Sequence, residues 1–90
     1  MAQVISLQLT EAGRRALLEF LRHCEPGSIV AVDWSEAKGE CNVGTFNKER
    51  IPPAEVVSIS GIPFVFDQRE SRNLHGRTLD FRDGEFCVLE

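Results

Sequence analysis

The chain has 90 residues, 42% of them hydrophobic and 27% charged, and a formal net charge of −4. That length builds one core and not two, so a single domain over residues 1–90 is expected. The acidic balance argues against nucleic acid, whose phosphates need a basic surface, and no apolar run approaches the roughly 18 residues of a membrane span. The first residues lack the basic-then-apolar pattern of a secretory leader. Three widely spaced cysteines form no disulfide framework and suit a reducing compartment. A cytoplasmic protein is the expectation.

Residues 4–9 carry Val4, Ile5, Leu7 and Leu9 and predict a short strand or extended lead-in. Thr10 stands where a helix N-cap belongs, and Glu11 suits the positive helix end. The spacing then predicts a helix to about His23. Ala12, Ala16, Leu17, Phe20, Leu21 and Cys24 share its apolar face. Glu11, Arg15, Glu19 and Arg22 fall opposite, with Glu11 and Arg15 in the favoured i,i+4 order. Pro26-Gly27 ends the helix.

Residues 29–34 are mostly apolar and predict a strand buried on both faces. Residues 35–41 predict a polar loop. Residues 42–47 predict a strand, which Gly44 weakens. Ile51-Pro52-Pro53 interrupts regular structure, residues 56–60 are β-prone, and Gly61 turns the chain into a strand over 62–66. Pro63 favours an edge or a strand start there. Residues 67–76 have room for about two helical turns.

The last segment is the most explicit. Asp83-Gly84 is a two-residue type I′ turn signal, flanked by Leu79, Phe81, Phe86 and Val88 at period two. A two-residue loop pairs Arg82 with Glu85, Phe81 with Phe86, Asp80 with Cys87 and Leu79 with Val88. Strand, helix, then mainly strands gives an α+β class. One main N-terminal helix packs on a twisted, mostly antiparallel β structure closed by a C-terminal hairpin.

Three short stretches carry a family likeness. They are Phe64-Val65-Phe66-Asp67, Leu74-His75-Gly76 and Leu79-Asp80-Phe81, preceded by the Thr10-led helix. Together they resemble the HesB-like, or A-type iron–sulfur carrier, family over nearly the whole chain. The resemblance implies a HesB-like fold. It also implies iron or iron–sulfur cluster binding through three cysteines, one in a glycine-rich loop and two in a Cys-Gly-Cys tail. Cys41, in Gly39-Glu40-Cys41-Asn42-Val43-Gly44, is the counterpart of the first. The tail pair has no counterpart, because Cys87 falls inside the last strand. Clusters usually take four thiolates, so Cys41 would serve one only across a dimer, with other thiols completing the site.

The remaining candidates are weaker. Cys24 reads as a small core residue, and Cys87 as packed or half-exposed beside Asp80. His23 suits the negative end of the helix. Arg69, Arg72 and His75 recur every three residues and would line one edge of a short helix, where an anion or acidic partner could meet them. A solvated charged surface is the plainer reading. Asp33, Glu36, Glu40 and Cys41 lie close around one loop and suggest an adventitious metal site, for which a flexible loop offers no fixed geometry. Trp34, Phe46 and Ile51-Pro52 are either an exposed apolar patch or core. No Ser-His-Asp set or phosphate-binding glycine loop is present, so nothing supports an enzyme. The sequence thus predicts a non-catalytic, cluster-free interaction module acting on a protein partner or as a homo-oligomer. The alternative is an iron or iron–sulfur carrier using Cys41 across a dimer.

Overall fold

The described residues, 6–35 and 37–89 of a computed structural model, form seven strands and two helices. Their order is β1 (Gln8–Leu9), α1 (Glu11–Arg22), β2 (Ile29–Ser35), β3 (Glu40–Phe46), β4 (Val56–Ile59), β5 (Ile62–Val65), α2 (Gln68–Leu74), β6 (Thr78–Arg82) and β7 (Glu85–Leu89). Single 3-10 turns fall at Lys48–Arg50 and Pro53–Glu55. The strands make two mixed sheets. One has the order β1-β6-β7, with β1 parallel to β6; the other has the order β3-β2-β5-β4, with β2 parallel to β5. The α+β class therefore holds. Of the lead-in expected over residues 4–9, Gln8 and Leu9 form the strand, and residues 4 and 5 lie outside the described residues.

Both hairpins with two-residue turns use the same backbone chemistry. Asp83 and Gly84 have φ of 53° and 79°, and Ser60 and Gly61 have 53° and 80°. Positive φ at both turn positions matches the right-handed twist of the flanking strands. The β6–β7 register is the one the sequence predicts, from Leu79–Val88 to Arg82–Glu85. Phe81 and Phe86 meet edge to face, with ring centroids 4.9 Å apart. The Arg82 guanidinium turns back along its own strand onto Asp80.

Helix α1 begins at Thr10, whose hydroxyl accepts from the Gly13 amide at 3.0 Å and donates to Asp80 on β6. The helix lies so close to β6 that a Cβ at Gly13 would sit 2.7 Å from the Leu79 carbonyl oxygen. The buried helical positions are Gly13 and Leu17, whereas Ala12 is exposed. The expected apolar face is thus rotated toward Gly13, because a close backbone approach selects the smallest residue and not the most apolar one. Cys24 lies beyond the helix and its C-cap His23, half-buried, with its thiol donating to the Phe20 carbonyl. It is not mid-face.

One core cluster joins Leu17 of α1, Val30 and Phe64 of the four-stranded sheet, Leu74 of α2 and Leu79 of β6, all fully buried. Each such side chain contributes about 1.5–3 kcal/mol by leaving water. β5 is an interior strand, not an edge. Pro63 is tolerated because it pairs only with Ser58 of β4, and the β2 ladder starts one residue later at Phe64.

Candidate functional site

The four-stranded sheet has two unlike faces. Val30, Val32 and Trp34 of β2 point into the core. Their alternates, Ala31 and Asp33, are half-buried and exposed, so β2 is not buried evenly on both faces as the sequence suggested. Ile29 also points away from the core cluster, yet it is 4% exposed. The connection between β3 and β4 accounts for this, since Ile51, Pro53 and Lys48 gather around Ile29 and Pro63.

Beyond that cover the outer face opens into a groove of about 1100 Å³. Its floor is one register row across all four strands. Gly44 pairs with Ala31, Ala31 with Val65, and Val65 with Val56. Neither Gly44 nor Ala31 has a side chain long enough to fill the space above it. A Cβ at Gly44 would meet nothing within 4 Å, and its backbone has no positive φ that would require glycine. Openness, not conformation, is what glycine provides at this position.

The two banks differ in chemistry. On one side stand Phe46, 49% exposed, and the half-buried Ile51. On the other stand the cross-strand neighbours Asp33 and Asn42, with Asp67 and Glu70 from the start of α2. Glu55 closes the end near β4. Among the described lining residues, four are acidic (Asp33, Glu55, Asp67 and Glu70) and one, Arg69, is basic.

Glu70 is the anchor of the acidic bank. It is 6% exposed, and its carboxylate accepts from the Trp34 amide at 3.3 Å. Arg69 approaches its other oxygen at 3.7 Å. The helix presents it there because Asp67 caps α2, accepting from the Glu70 amide at 2.7 Å. Burial pushes the Glu70 carboxyl above the usual carboxylate range; the Trp34 amide opposes this, and the charge and hydrogen bond of Asp33, with the charge of Asp67, add to it. Trp34 itself belongs to the core, with the Arg77 guanidinium 4.7 Å from its ring. The suggested apolar patch therefore divides: Trp34 goes inward, while Phe46 and Ile51 go to the groove.

The residues singled out in the sequence do not converge. Cys41 is not in a loop. It is the second residue of β3, opposite Trp34, half-buried and packed against the core. Burial, then the nearby Cys87, Asp33 and Glu70, push its thiol up to about 11, so it is protonated at neutral pH. Glu40 also belongs to β3, which breaks up the expected acidic loop, and Glu36 lies outside the described residues. Among the described residues, no three of His, Cys, Asp and Glu come together as a group able to hold a metal ion.

The expected edge of Arg69, Arg72 and His75 is not formed either. The helix ends at Leu74, and His75 has extended backbone (φ −61°, ψ 128°). Its Nδ1 accepts from the Ser6 amide at 3.1 Å, while Gly76 donates to the Ser6 carbonyl at 2.8 Å. His75 thereby helps hold the lead-in to β1. Arg69 goes to Glu70, and Arg72 stands exposed in the last turn of α2. No helix among the described residues is long and apolar enough to cross a membrane.

Neither a scan against protein-family models nor a search of the curated proteins finds a match to the chain. The groove, and not kinship, is the basis for a functional reading.

The sequence reading missed Gly44, Ala31 and Val65 as a unit. Its one available signal was the alternation in Val30-Ala31-Val32-Asp33-Trp34, where large apolar residues interleave with small or charged ones. That pattern marks two unlike faces.

Proposed function

We propose that this chain is a non-catalytic interaction module, built on a HesB-like scaffold, that binds its partner in the outer-face groove. The observation that carries the reading is the open row Gly44–Ala31–Val65–Val56 between an apolar and an acidic bank. An open row of small and apolar residues on a sheet face, flanked by polar residues, is the kind of surface a partner can cover. The HesB-like assignment rests on the Thr10-led helix and the Leu74-His75-Gly76 and Leu79-Asp80-Phe81 stretches. The Thr10-led helix, the helix ending at Leu74 and the strand through Leu79-Asp80-Phe81 form where that resemblance expects them.

The carrier alternative needs Cys41 as a thiolate ligand, since the thiolate and not the thiol binds metal. A half-buried, protonated thiol that belongs, among the described residues, to no group of three potential ligands does not fit an iron or iron–sulfur centre. Anaerobic reconstitution with iron and sulfide tests this directly. A visible cluster band that disappears in Cys41→Ser would overturn the cluster-free reading. For the groove itself, random-peptide selection against the wild-type chain should be counter-screened on Gly44→Val. Selected peptides should lose binding to the variant; equal retention by both would place the interaction elsewhere.

A further inference from the structure

We infer that the groove takes a segment of a partner polypeptide that alternates apolar and basic side chains in extended conformation. This rests on the reading of the groove as the binding site and adds the chemistry of its occupant.

The floor decides the size. Four strands at about 4.8 Å spacing give a row of about 14 Å, which an extended chain crosses in roughly four residues at about 3.3 Å each. The volume of about 1100 Å³ lies just above the roughly 300–1,000 Å³ typical of small-molecule pockets. The site is also open along its length and not enclosed around a compact ligand.

The banks decide the pattern. Side chains of an extended segment point alternately to opposite sides. A segment lying along the Gly44–Val56 row would send alternate residues to Phe46 and Ile51 on one bank and to Asp33 and Asp67 on the other. The first set is best satisfied by aliphatic or aromatic residues. The second, with Asp33, Asp67 and Glu70 against Arg69 and with Glu55 at the end of the groove, is best satisfied by lysine or arginine. Charge complementarity of this kind selects partners and speeds their encounter. A second copy of this chain is a poor occupant, because it carries the same acidic bank and its own net charge of −4.

The test is an NMR titration of the isotope-labelled full chain with three short peptides, alternating leucine–lysine, leucine–serine and leucine–glutamate. The leucine–lysine peptide should shift the amides of Ala31, Gly44 and Val65 and bind tightest. Gly44→Val should abolish those shifts. Asp33→Asn combined with Glu55→Gln should weaken binding by roughly threefold to tenfold, in line with partly exposed ion pairs, and flatten its salt dependence. If the leucine–serine or leucine–glutamate peptide binds at these amides as well as the basic one, the basic–apolar assignment falls while the groove stands. If no peptide moves these amides, both fall. Self-association of the free chain that Gly44→Val removes would replace the partner segment by a second copy.

Discussion

The two faces of the four-stranded sheet are built from the same strands and do opposite work. The inner face carries Val30, Val32, Trp34, Ile62 and Phe64, each 7% exposed or less. The outer face carries Ala31, Gly44, Val65 and Val56 along its open row, and none of these is fully buried. On one side side-chain volume is spent on packing. On the other it is withheld, and the space stays open. Strand parity alone thus separates packed from open positions, so changes on the two faces should have separable effects.

Phe64→Ala and Phe46→Ala test that separation at its widest. Phe64 is fully buried and stacks on Phe66 with centroids 5.6 Å apart. Its truncation should cost about 3–5 kcal/mol, a large part of the stability of so small a domain. Phe46 is 49% exposed, and its truncation should stay within about 0.5 kcal/mol. Urea unfolding monitored by Trp34 fluorescence measures both. Comparable losses at the two sites would erase the distinction between the faces.

Glu70 lies where the faces meet, and its two roles can be parted by substitution. Glu70→Ala leaves the buried Trp34 amide without its acceptor and should cost about 1–3 kcal/mol. Glu70→Gln keeps an acceptor and removes the repulsion from Asp33 and Asp67, so it should be far milder. The sign of the pH dependence follows from the same contacts. A carboxyl raised in the folded state binds its proton more tightly there than when unfolded. Its contribution is therefore complete below the unfolded pKa, near 4.3, and is lost as pH rises through the folded value. Asp80 runs the other way. The hydrogen bond from Thr10, then the Phe81 amide and Arg82, hold it below the usual range. Its contribution is present above about 3.9 and is lost as pH falls through its folded value. Stability should decline on the alkaline side of the Glu70 transition, and Glu70→Gln should remove that slope without touching the acid limb. A slope unchanged in the variant would assign it to another group.

The α1–β6 contact extends the comparison to the other sheet. Gly13→Ala gains about 1 kcal/mol of helix propensity, but its Cβ would press on backbone, which cannot yield as a flexible side chain can. Overpacking of this kind costs roughly 1–3 kcal/mol, so the net effect should be a loss of about 1 kcal/mol by thermal or urea unfolding. A gain would show that the helix can slide away from β6.

The contrast also explains what could be read in advance. The β6–β7 hairpin was legible to the register because Asp83-Gly84 and period-two aromatics are local signals that agree with each other. The Thr10 cap was legible for the same reason. The role of Gly13 was not, because close approach to β6 involves a strand more than sixty residues away in the chain. Cys41 was misplaced because the polar stretch over residues 35–41 reads as loop, while in the fold β3 is extended back to Glu40 by its full ladder with β2. The groove was least legible, since its floor is one residue from each of four strands, brought into a row only by pairing. His75 was drawn away from Arg69 and Arg72 by the helix stop at Leu74, with Gly76 at a φ of 78° just beyond.

The smallest expected effect bears most directly on function. Gly44→Val places a β-branched side chain on an outer strand position where an added Cβ meets nothing within 4 Å. Glycine weakens a strand interior, and valine suits one. Stability should therefore stay level or rise by up to about 1 kcal/mol, and the amide spectrum away from Ala31, Gly44 and Val65 should be unchanged. A variant that folds at least as well as the parent yet loses its partner segment separates recognition from packing. If Gly44→Val instead unfolds the chain, the outer row is already occupied by packing, and the two faces of the sheet are not different in kind.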